Sequence, residues 1–208
     1  MEDRITPGLW LETSQAAAEE YGHDVSLAAG MRRATWWTNL CPNRSDLPRD
    51  FPEFNTLGVF ELDEDFSSPP ARPGMHFRRC PRPGQGVLTG KPTVGLSLVL
   101  ISPRAPEGAQ ALRDWADFVH IRHIAEAAVP GMAMITPFER VGGVEGPRFL
   151  HLYEITDLDA EGVFRSMPGR VRGRLGPPGT PAFNEWAWHP ALWINYVNSF
   201  RLAGSLDA

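Results

Sequence analysis

The stretch RFLHLYEITDLD (148–159) joins a strand-length run of apolar and aromatic residues to an acidic turn, and it has a counterpart far upstream. The counterpart is NTLGVFELDED (55–65), in which Phe60-Glu61 aligns with Tyr153-Glu154. Runs of this length and composition predict β-strands. A strand that recurs with the same aromatic–glutamate pair indicates that the chain contains an internal duplication.

Three further elements recur around this strand, in the same order in both copies. The paired segments are GLWLETS (8–14) with GLSLVLIS (95–102), AAAEEYGHDVSLAAGM (16–31) with LRDWADFVHIRHIAEAAVPGM (112–132), and RRATWWTNL (32–40) with AMITPFERV (133–141). The first and third pairs are strand-like, and the second pair is helical, contains histidine and ends in Gly-Met. Each copy therefore reads strand, helix, strand, strand.

The second copy alone continues with a helix and a further strand. The helix is predicted within 157–167 after an acidic cap, and the strand within 191–202. This completes the β-α-β-β-α-β order of a ferredoxin-like unit. In the first copy the second helix is replaced by a segment too rich in proline and glycine for a long helix.

These patterns predict an α+β chain of two ferredoxin-like repeats. Residues 1–65 form the first repeat without its second helix, 66–93 a Pro/Gly-rich linker, and 94–208 the second, complete repeat. Each antiparallel sheet has one face that its own helices leave bare. We expect the two sheets to pack together and close toward a barrel within one chain.

The helix of the second copy carries the strongest candidates for catalysis. Trp115, Val119, His123 and Ala127 step by four, so they form one stripe, and His120 lies three residues before His123 on a neighbouring part of the surface. Histidine titrates near neutral pH and can act as an acid or a base. The competing interpretation is that both histidines only pack on a semi-apolar helix face.

A family resemblance rests on the same residues. Trp115-x-Asp117-x-x-His120-Ile121, then Val129-Pro130-Gly131 and PRFLHLYEI (147–155), resembles EthD-like members of the dimeric α+β barrel superfamily. The chain departs from that pattern at two positions, where Val119 replaces an acidic residue and Arg122 replaces a proline. The motif favours His120 as the functional histidine, whereas the repeat alignment favours His123.

Without an acidic residue at 119, another group has to orient the histidines. Asp117 is three residues before His120, and Glu126 is three residues after His123, so each carboxylate is a candidate for its neighbour. The alternative for His120 is a group elsewhere in the chain. The predicted catalytic set is therefore His120, His123 and Asp117.

Aromatic and imidazole side chains elsewhere are candidates for binding a substrate. Trp36 and Trp37 are adjacent in a strand, so one of them points into the barrel. His151 and Tyr153 share a strand face and form a second polar pair. The candidate substrate-binding residues are Trp115, Trp37, Tyr153, His151 and His23. The segment NEWAWHPALW (184–193) is predicted to cap the barrel or to form an interface.

Composition excludes several classes of partner. The net charge is −5 and no basic run exceeds an arginine pair, so neither nucleic acid nor an anionic membrane is expected as a partner. The N-terminal residues lack the basic start and apolar core of a signal peptide, and no stretch approaches the roughly 20 apolar residues of a membrane helix. We expect a soluble, cytoplasmic protein in which Cys41 and Cys80 are reduced and bind no metal.

The resemblance implies a range of activities. It includes cofactor-free monooxygenases, polyketide cyclases, muconolactone isomerases, haem-dependent peroxidases and aldoxime dehydratases. We expect a metal-free enzyme of degradative or secondary metabolism, in which His120 or His123 moves a proton during isomerisation, cyclisation or oxygenation of a hydrophobic, aromatic or polyketide-like molecule. The alternatives are a haem enzyme with an axial histidine and a non-enzymatic ligand-binding or stress protein. A monomer is one possibility, because the chain supplies both sheets of the barrel, and a homodimer is the expected state.

Overall fold

The computed structural model describes residues 6–47, 49–67, 69–70, 72–142 and 146–208. Within these ranges, nine strands form one antiparallel sheet. The strands are β1 (Gly8–Ser14), β2 (Met31–Asn39), β3 (Thr56–Leu62), β4 (Met75–Arg79), β5 (Gln85–Gly86), β6 (Gly95–Pro103), β7 (Met132–Arg140), β8 (Phe149–Ile155) and β9 (Leu192–Asp207). The α-helices are α1 (Ala18–His23), α2 (Ala109–Trp115), α3 (Ile121–Glu126), α4 (Ala160–Leu175) and α5 (Pro181–Ala187).

Eight of these strands close into a barrel. Their order is β4-β1-β3-β2-β9-β6-β8-β7, and β4 pairs with β7 to complete the ring, while β5 adds to β7 outside it. Each half of this order runs fourth, first, third, second strand, which is the arrangement of a ferredoxin-like sheet. The predicted α+β fold is confirmed: two ferredoxin-like repeats form a barrel of the dimeric α+β barrel type within one chain. Closure leaves the eight strands with no unpaired sheet edge.

The two faces of the sheet are used differently. On β8, Leu150 and Leu152 belong to the core inside the barrel, whereas Phe149 and Tyr153 belong to clusters on the helix side. The interior is filled by side chains such as the stacked rings of Phe54, Tyr196 and Phe200. Because side chains fill the barrel interior, the candidate site is expected between the sheet and the helices.

The predicted linker contains two strands. Residues 75–79 form β4, which pairs with β1 and with β7, and residues 85–86 form β5. The short strand MHFRR alternates buried with less buried side chains, and pairing on both sides supplies its backbone hydrogen bonds. Beyond β4, residues 80–88 run toward the helices of the second repeat, and we call them the crossing segment. The boundaries of the two repeats stay a prediction.

The predicted long helix of the second repeat is not one continuous α-helix. A 3₁₀ turn (Pro106–Gly108) leads into α2, a π-helical turn (Ala116–His120) follows, and α3 completes it. A π turn inserts one extra residue and shifts the helical phase. The predicted stripe is therefore wrong after Trp115: Ile121 and Ile124 are fully buried, whereas Val119 and His123 are partly exposed.

The last predicted helix and the last strand are longer than the sequence predicts, and α5 was not predicted. Asp159 caps α4 by accepting a hydrogen bond from the backbone N–H of Gly162 at 2.9 Å, and the helix continues through Pro168 to Leu175. β9 pairs with β6 through its first part and with β2 through its last part. In the described ranges, the helices are too short or too polar to cross a membrane.

Candidate functional site

Three histidines meet on the outer face of the second repeat. His120 ends the π turn, His123 lies in α3, and His151 lies on β8. Positive charge on either His151 or His123 disfavours protonation of His120, so the three imidazoles are electrostatically coupled. Both predicted histidine pairs, 120 with 123 and the helix histidines with His151, thus belong to one region.

His120 is held between two indole rings. Its centroid lies 5.0 Å from that of Trp115 and 5.2 Å from that of Trp186, whose plane is tilted by only 4°. The π turn permits this contact because it brings residues five apart, 115 and 120, onto one face. His120 Nδ1 lies 2.9 Å from the carbonyl oxygen of Trp186. Because a carbonyl can only accept, Nδ1 carries the proton and Nε2 has the lone pair.

Burial lowers the pKa of His120 from its usual 6.5 to about 4. The hydrogen bond to Trp186 opposes this shift, and the neighbouring His151 and His123 add to it. His120 is therefore neutral throughout the neutral pH range. Within the described residues Nε2 makes no hydrogen bond.

The stack around His120 continues into α5. Trp115 donates from Nε1 to the carbonyl oxygen of Glu185 at 2.6 Å, and Trp186 donates from Nε1 to that of His120 at 3.2 Å. His189 stacks on the outer side of Trp115, with centroids 5.6 Å apart. Trp186 is a site residue that sequence reasoning did not single out, although it lies in the aromatic segment 184–193. That segment covers the histidine helix.

Asp117 faces inward from the π turn, away from the expected contact with His120. Its Oδ1 lies 3.7 Å from His151 Nε2, and its Oδ2 accepts a hydrogen bond from Arg82 Nη1 at 2.8 Å. Gln85 donates to the backbone carbonyl of Asp117 at 2.6 Å. The prediction that Asp117 orients His120 was wrong, because the extra residue of the π turn rotates the carboxylate toward β8. The backbone carbonyl of Trp186 has the orienting role instead.

Arg82 and Gln85 were also missed, since both lie in the segment predicted as a linker. Arg82 spans the helix, donating to Asp114 Oδ1 at 2.6 Å as well as to Asp117, and its guanidinium lies over the ring of Phe118. Asp117 is 2 % exposed, and its Oδ1 has no hydrogen bond within the described residues. The crossing segment thus neutralises a buried carboxylate of the site.

His123 is less tightly held than His120. Its Nδ1 is 3.5 Å from Glu126 Oε2, and this nitrogen is buried without a hydrogen bond among the described residues. Glu126 also accepts hydrogen bonds from Arg122 and Arg174. Glu126 lies beside His123, as predicted, but its oxygens are engaged by arginines.

The remaining candidates fall into two groups. Tyr153 is buried on the helix face of β8, edge-on to Phe164, and burial raises the pKa of its hydroxyl. Trp37 points into the barrel, where its Nε1 donates to Thr35 Oγ1. His23 is exposed at the end of α1 in the first repeat. The structure brings Trp115, Asp117 and His151 to the candidate histidines His120 and His123, with Tyr153 in the same layer, but not Trp37 or His23.

The surroundings of the histidines bear on the haem alternative. His120, His123 and His151 do not line five of the surface cavities that described residues form. Both faces of the His120 ring are covered by tryptophans. No group of three or more potential metal-ligating histidine, cysteine, aspartate or glutamate side chains occurs in the described ranges.

Comparisons with known proteins reach only the level of the fold. No protein-family model matches the sequence, and no curated protein matches it. A proposed monooxygenase from Fusobacterium nucleatum is similar in structure, with 7 % identity, a TM-score of 0.52, and coverage of 96 % of this chain and 93 % of that one. A second proposed monooxygenase, from Lactobacillus acidophilus, has 9 % identity, a TM-score of 0.50, and coverage of 95 % and 93 %.

Proposed function

We propose that the protein is a small-molecule enzyme of the dimeric α+β barrel type in which His120 transfers a proton without a metal. The observation that carries this proposal is the fixed tautomer of His120. Its Nδ1–H is committed to the carbonyl of Trp186, and its Nε2 lone pair is uncommitted within the described residues. This is the arrangement that a general base requires.

The proton moves to Nε2 and returns from it. When Nε2 takes a proton from a substrate C–H or O–H group, the imidazolium is stabilised through Nδ1–H by the Trp186 carbonyl. Because the pKa of His120 is about 4, the protonated ring is a strong acid for an imidazole. It gives the proton back readily at another substrate atom. A shuttle of this kind serves isomerisation or cyclisation. In oxygenation the abstraction alone is needed: the substrate carbanion reduces dioxygen, one oxygen atom enters the substrate and the other leaves as water.

A hydrophobic, aromatic or polyketide-like substrate suits the surroundings of His120. The ring is stacked between tryptophans. Phe118, two residues before His120, is 56 % exposed, and Trp188, two residues after Trp186, is 57 % exposed. Large exposed apolar side chains mark surfaces that receive a ligand or a partner. Because two proteins of the same fold are described as proposed monooxygenases, oxygenation is the first reaction to assay. A role in degradative or secondary metabolism, kinship to EthD-like proteins and a homodimeric state belong to this proposal.

The test combines a substrate screen with matched histidine variants. Aromatic and polyketide-like compounds are screened for oxygen uptake, and for product formation under argon, which separates oxygenation from isomerisation or cyclisation. His120→Gln is expected to lower kcat/KM by about 100-fold or more, the usual contribution of a general base. His23→Gln, an exposed histidine of the other repeat, is the control and is expected to keep full activity. Added imidazole should restore part of the turnover of a His120→Gly variant.

Two outcomes would overturn the proposal. A folded His120→Gln variant with wild-type turnover would remove His120 from catalysis, and loss of stability without any activity in the screen would favour the packing interpretation of a binding protein. Titration with haemin tests the haem alternative directly. A Soret band that His120→Gln abolishes would replace proton transfer by axial ligation.

A further inference from the structure

The π turn deprives one backbone carbonyl of its ordinary helical partner. In an α-helix the backbone N–H of Ile121 would donate to the carbonyl of Asp117, four residues earlier. In this helix it donates to the carbonyl of Ala116 instead. A backbone carbonyl is a strong acceptor that has to be paired when it is buried, and Asp117 is buried. The π turn therefore needs a donor from another part of the chain.

The crossing segment supplies that donor. Gln85 Nε2 donates to the carbonyl oxygen of Asp117 at 2.6 Å. The backbone of Gln85 pairs with Ile135 of β7, so the side-chain amide is carried by the sheet and not by the helix. Gln85 thus links the sheet directly to the carbonyl that the π turn frees.

Arg82 contacts the same turn, but in a way that depends less on its hydrogen-bonding pattern. Its guanidinium donates to the carboxylates of Asp114 and Asp117, at 2.6 and 2.8 Å. A carboxylate sits on a rotatable side chain, so a guanidinium can reach it from more than one helical register. The backbone carbonyl of Asp117 is released by Ile121 only in the π register. The contact of Gln85 is therefore specific for that register.

The position of His120 depends on the π turn. Residues five apart lie about 140° apart around an α-helix. A continuous α-helix would therefore separate His120 from Trp115, and the two ring centroids are now 5.0 Å apart. In the same arrangement Nδ1 of His120 meets the carbonyl of Trp186 at 2.9 Å. The stack and the tautomer of His120 thus both follow from the register of the helix.

We propose that Gln85 is a positioning residue for His120 and acts by holding the helix in the π register. Its amide satisfies the buried carbonyl that this register frees and so removes the cost of an unpaired acceptor. Without the amide, the α-helical register regains the advantage of a paired Asp117 carbonyl. The effect on turnover rests on the proposed function of His120, whereas the effect on the position of His120 does not.

Nuclear magnetic resonance of the histidine rings tests the proposal in the full chain without a substrate. In the wild type the Nδ1–H of His120 is expected to give a slowly exchanging imidazole signal, identified by its loss in His120→Gln. Gln85→Met keeps the length of the side chain but removes its donors, and we expect it to abolish this signal. Gln110→Met is the matched control and should keep the signal, because exposed Gln110 donates to the side chain of Asp114 and not to a backbone carbonyl.

Turnover is a separate readout. If His120 transfers a proton, Gln85→Met should lower kcat about tenfold or more with little change in KM, because a displaced base slows the chemical step. Gln110→Met should keep the wild-type kcat. Loss of the ring signal in Gln85→Met, in an enzyme whose turnover does not depend on His120, would support the positioning role and overturn the proposed function. A kept signal together with a strong dependence of turnover on His120 would do the reverse.

Three results of the ring measurement count against the positioning role. They are a wild type without the slow signal, a signal that Gln85→Met retains, and equal loss of the signal in Gln85→Met and Gln110→Met. The last would indicate a general loosening of the helix. If Gln85→Met melts far below the wild type, Gln85→Lys is the second variant. Its ammonium group can still donate to the Asp117 carbonyl, so it should retain the signal, and its failure to do so would also overturn the proposal.

Discussion

The two repeats fill the space between helix and sheet in different ways. In the first repeat, Glu12 on β1 accepts hydrogen bonds through both carboxylate oxygens, from Tyr21 Oη at 2.8 Å and from Trp10 Nε1 at 3.3 Å. In the second repeat, Asp117 Oδ1 and His123 Nδ1 are buried without hydrogen bonds among the described residues. The Glu12 carboxylate is satisfied through both of its oxygens, whereas the Asp117 carboxylate is not.

The difference centres on two matching strand positions. When Phe60-Glu61 is aligned with Tyr153-Glu154, Gly58 of β3 corresponds to His151 of β8. A Cβ atom on Gly58 would lie 2.0 Å from Tyr21 Oη, so the glycine makes room for the tyrosine. On β8, the side chain of His151 occupies the space that corresponds to the one above Gly58. Because an unpaired buried polar group costs free energy, the Asp117 carboxylate of the second repeat carries a cost that the Glu12 carboxylate of the first repeat avoids.

Removing Arg82, the cation that pairs with Asp117 in the second repeat, should have the largest effect on stability. Arg82→Ala leaves the carboxylate of Asp117 buried without its ion pair, and we expect a loss of about 3 kcal/mol in the free energy of unfolding. Arg122→Ala removes an exposed pair with Glu126 on the same face of the chain and should cost about 0.5 kcal/mol or less. Urea unfolding measures both. Asp117→Asn added to Arg82→Ala should recover part of the loss, and equal costs for the two single variants would contradict the buried pair.

Filling the space above Gly58 should break the first layer. Gly58→Ala drives a methyl group into Tyr21 Oη, and we expect a loss of about 2 kcal/mol from overpacking. In the double variant with Tyr21→Phe, the hydroxyl is gone and the losses should sum to less than the two single losses. A double-mutant cycle by urea unfolding measures this coupling. Strict additivity would show that the two residues do not oppose each other.

The smallest of the three expected effects is a loss of folding stability at acidic pH, which depends on His120 of the second repeat. The folded pKa of His120 is about 4, below its ordinary value of 6.5, so between these values the unfolded chain binds a proton that the folded chain does not. Stability is full above pH 6.5 and falls as the pH drops toward 4. After allowance for the partial exposure of the ring, we expect a loss of about 1 kcal/mol between pH 7 and pH 5. His120→Gln should flatten this slope and His23→Gln should leave it unchanged, as measured by urea unfolding at each pH.

Much of the architecture could be predicted because duplication repeats its signals. The strand pattern of residues 148–155 and its upstream copy fix the order of elements, and strand alternation correctly paired His151 with Tyr153 on one face. β4 was missed because proline and glycine around MHFRR hid a short strand. The repeat itself contained the missing signal, since a ferredoxin-like unit needs a fourth strand.

The details of the site were harder to predict. The π turn at residues 116–120 adds one residue to a helical turn, and apolar spacing alone does not show such an insertion. This insertion turned Asp117 toward His151 and His120 toward Trp186. Arg82 and Trp186 reach the histidines from distant segments through the tertiary fold, so no local spacing could identify them. The residue types of the site were thus predictable, but their partners were not.

The long strand β9 also sets the order in which the molecule can assemble. It pairs with β6 in its own repeat and with β2 near the other end of the chain, with Trp36 opposite Gly204. Contacts between residues so far apart in sequence carry a large loop-closure entropy and slow the folding reaction. The first repeat must wait for β9 before its β2 edge is covered. During synthesis that edge is exposed to other chains, so the unfinished protein is most vulnerable to aggregation along β2.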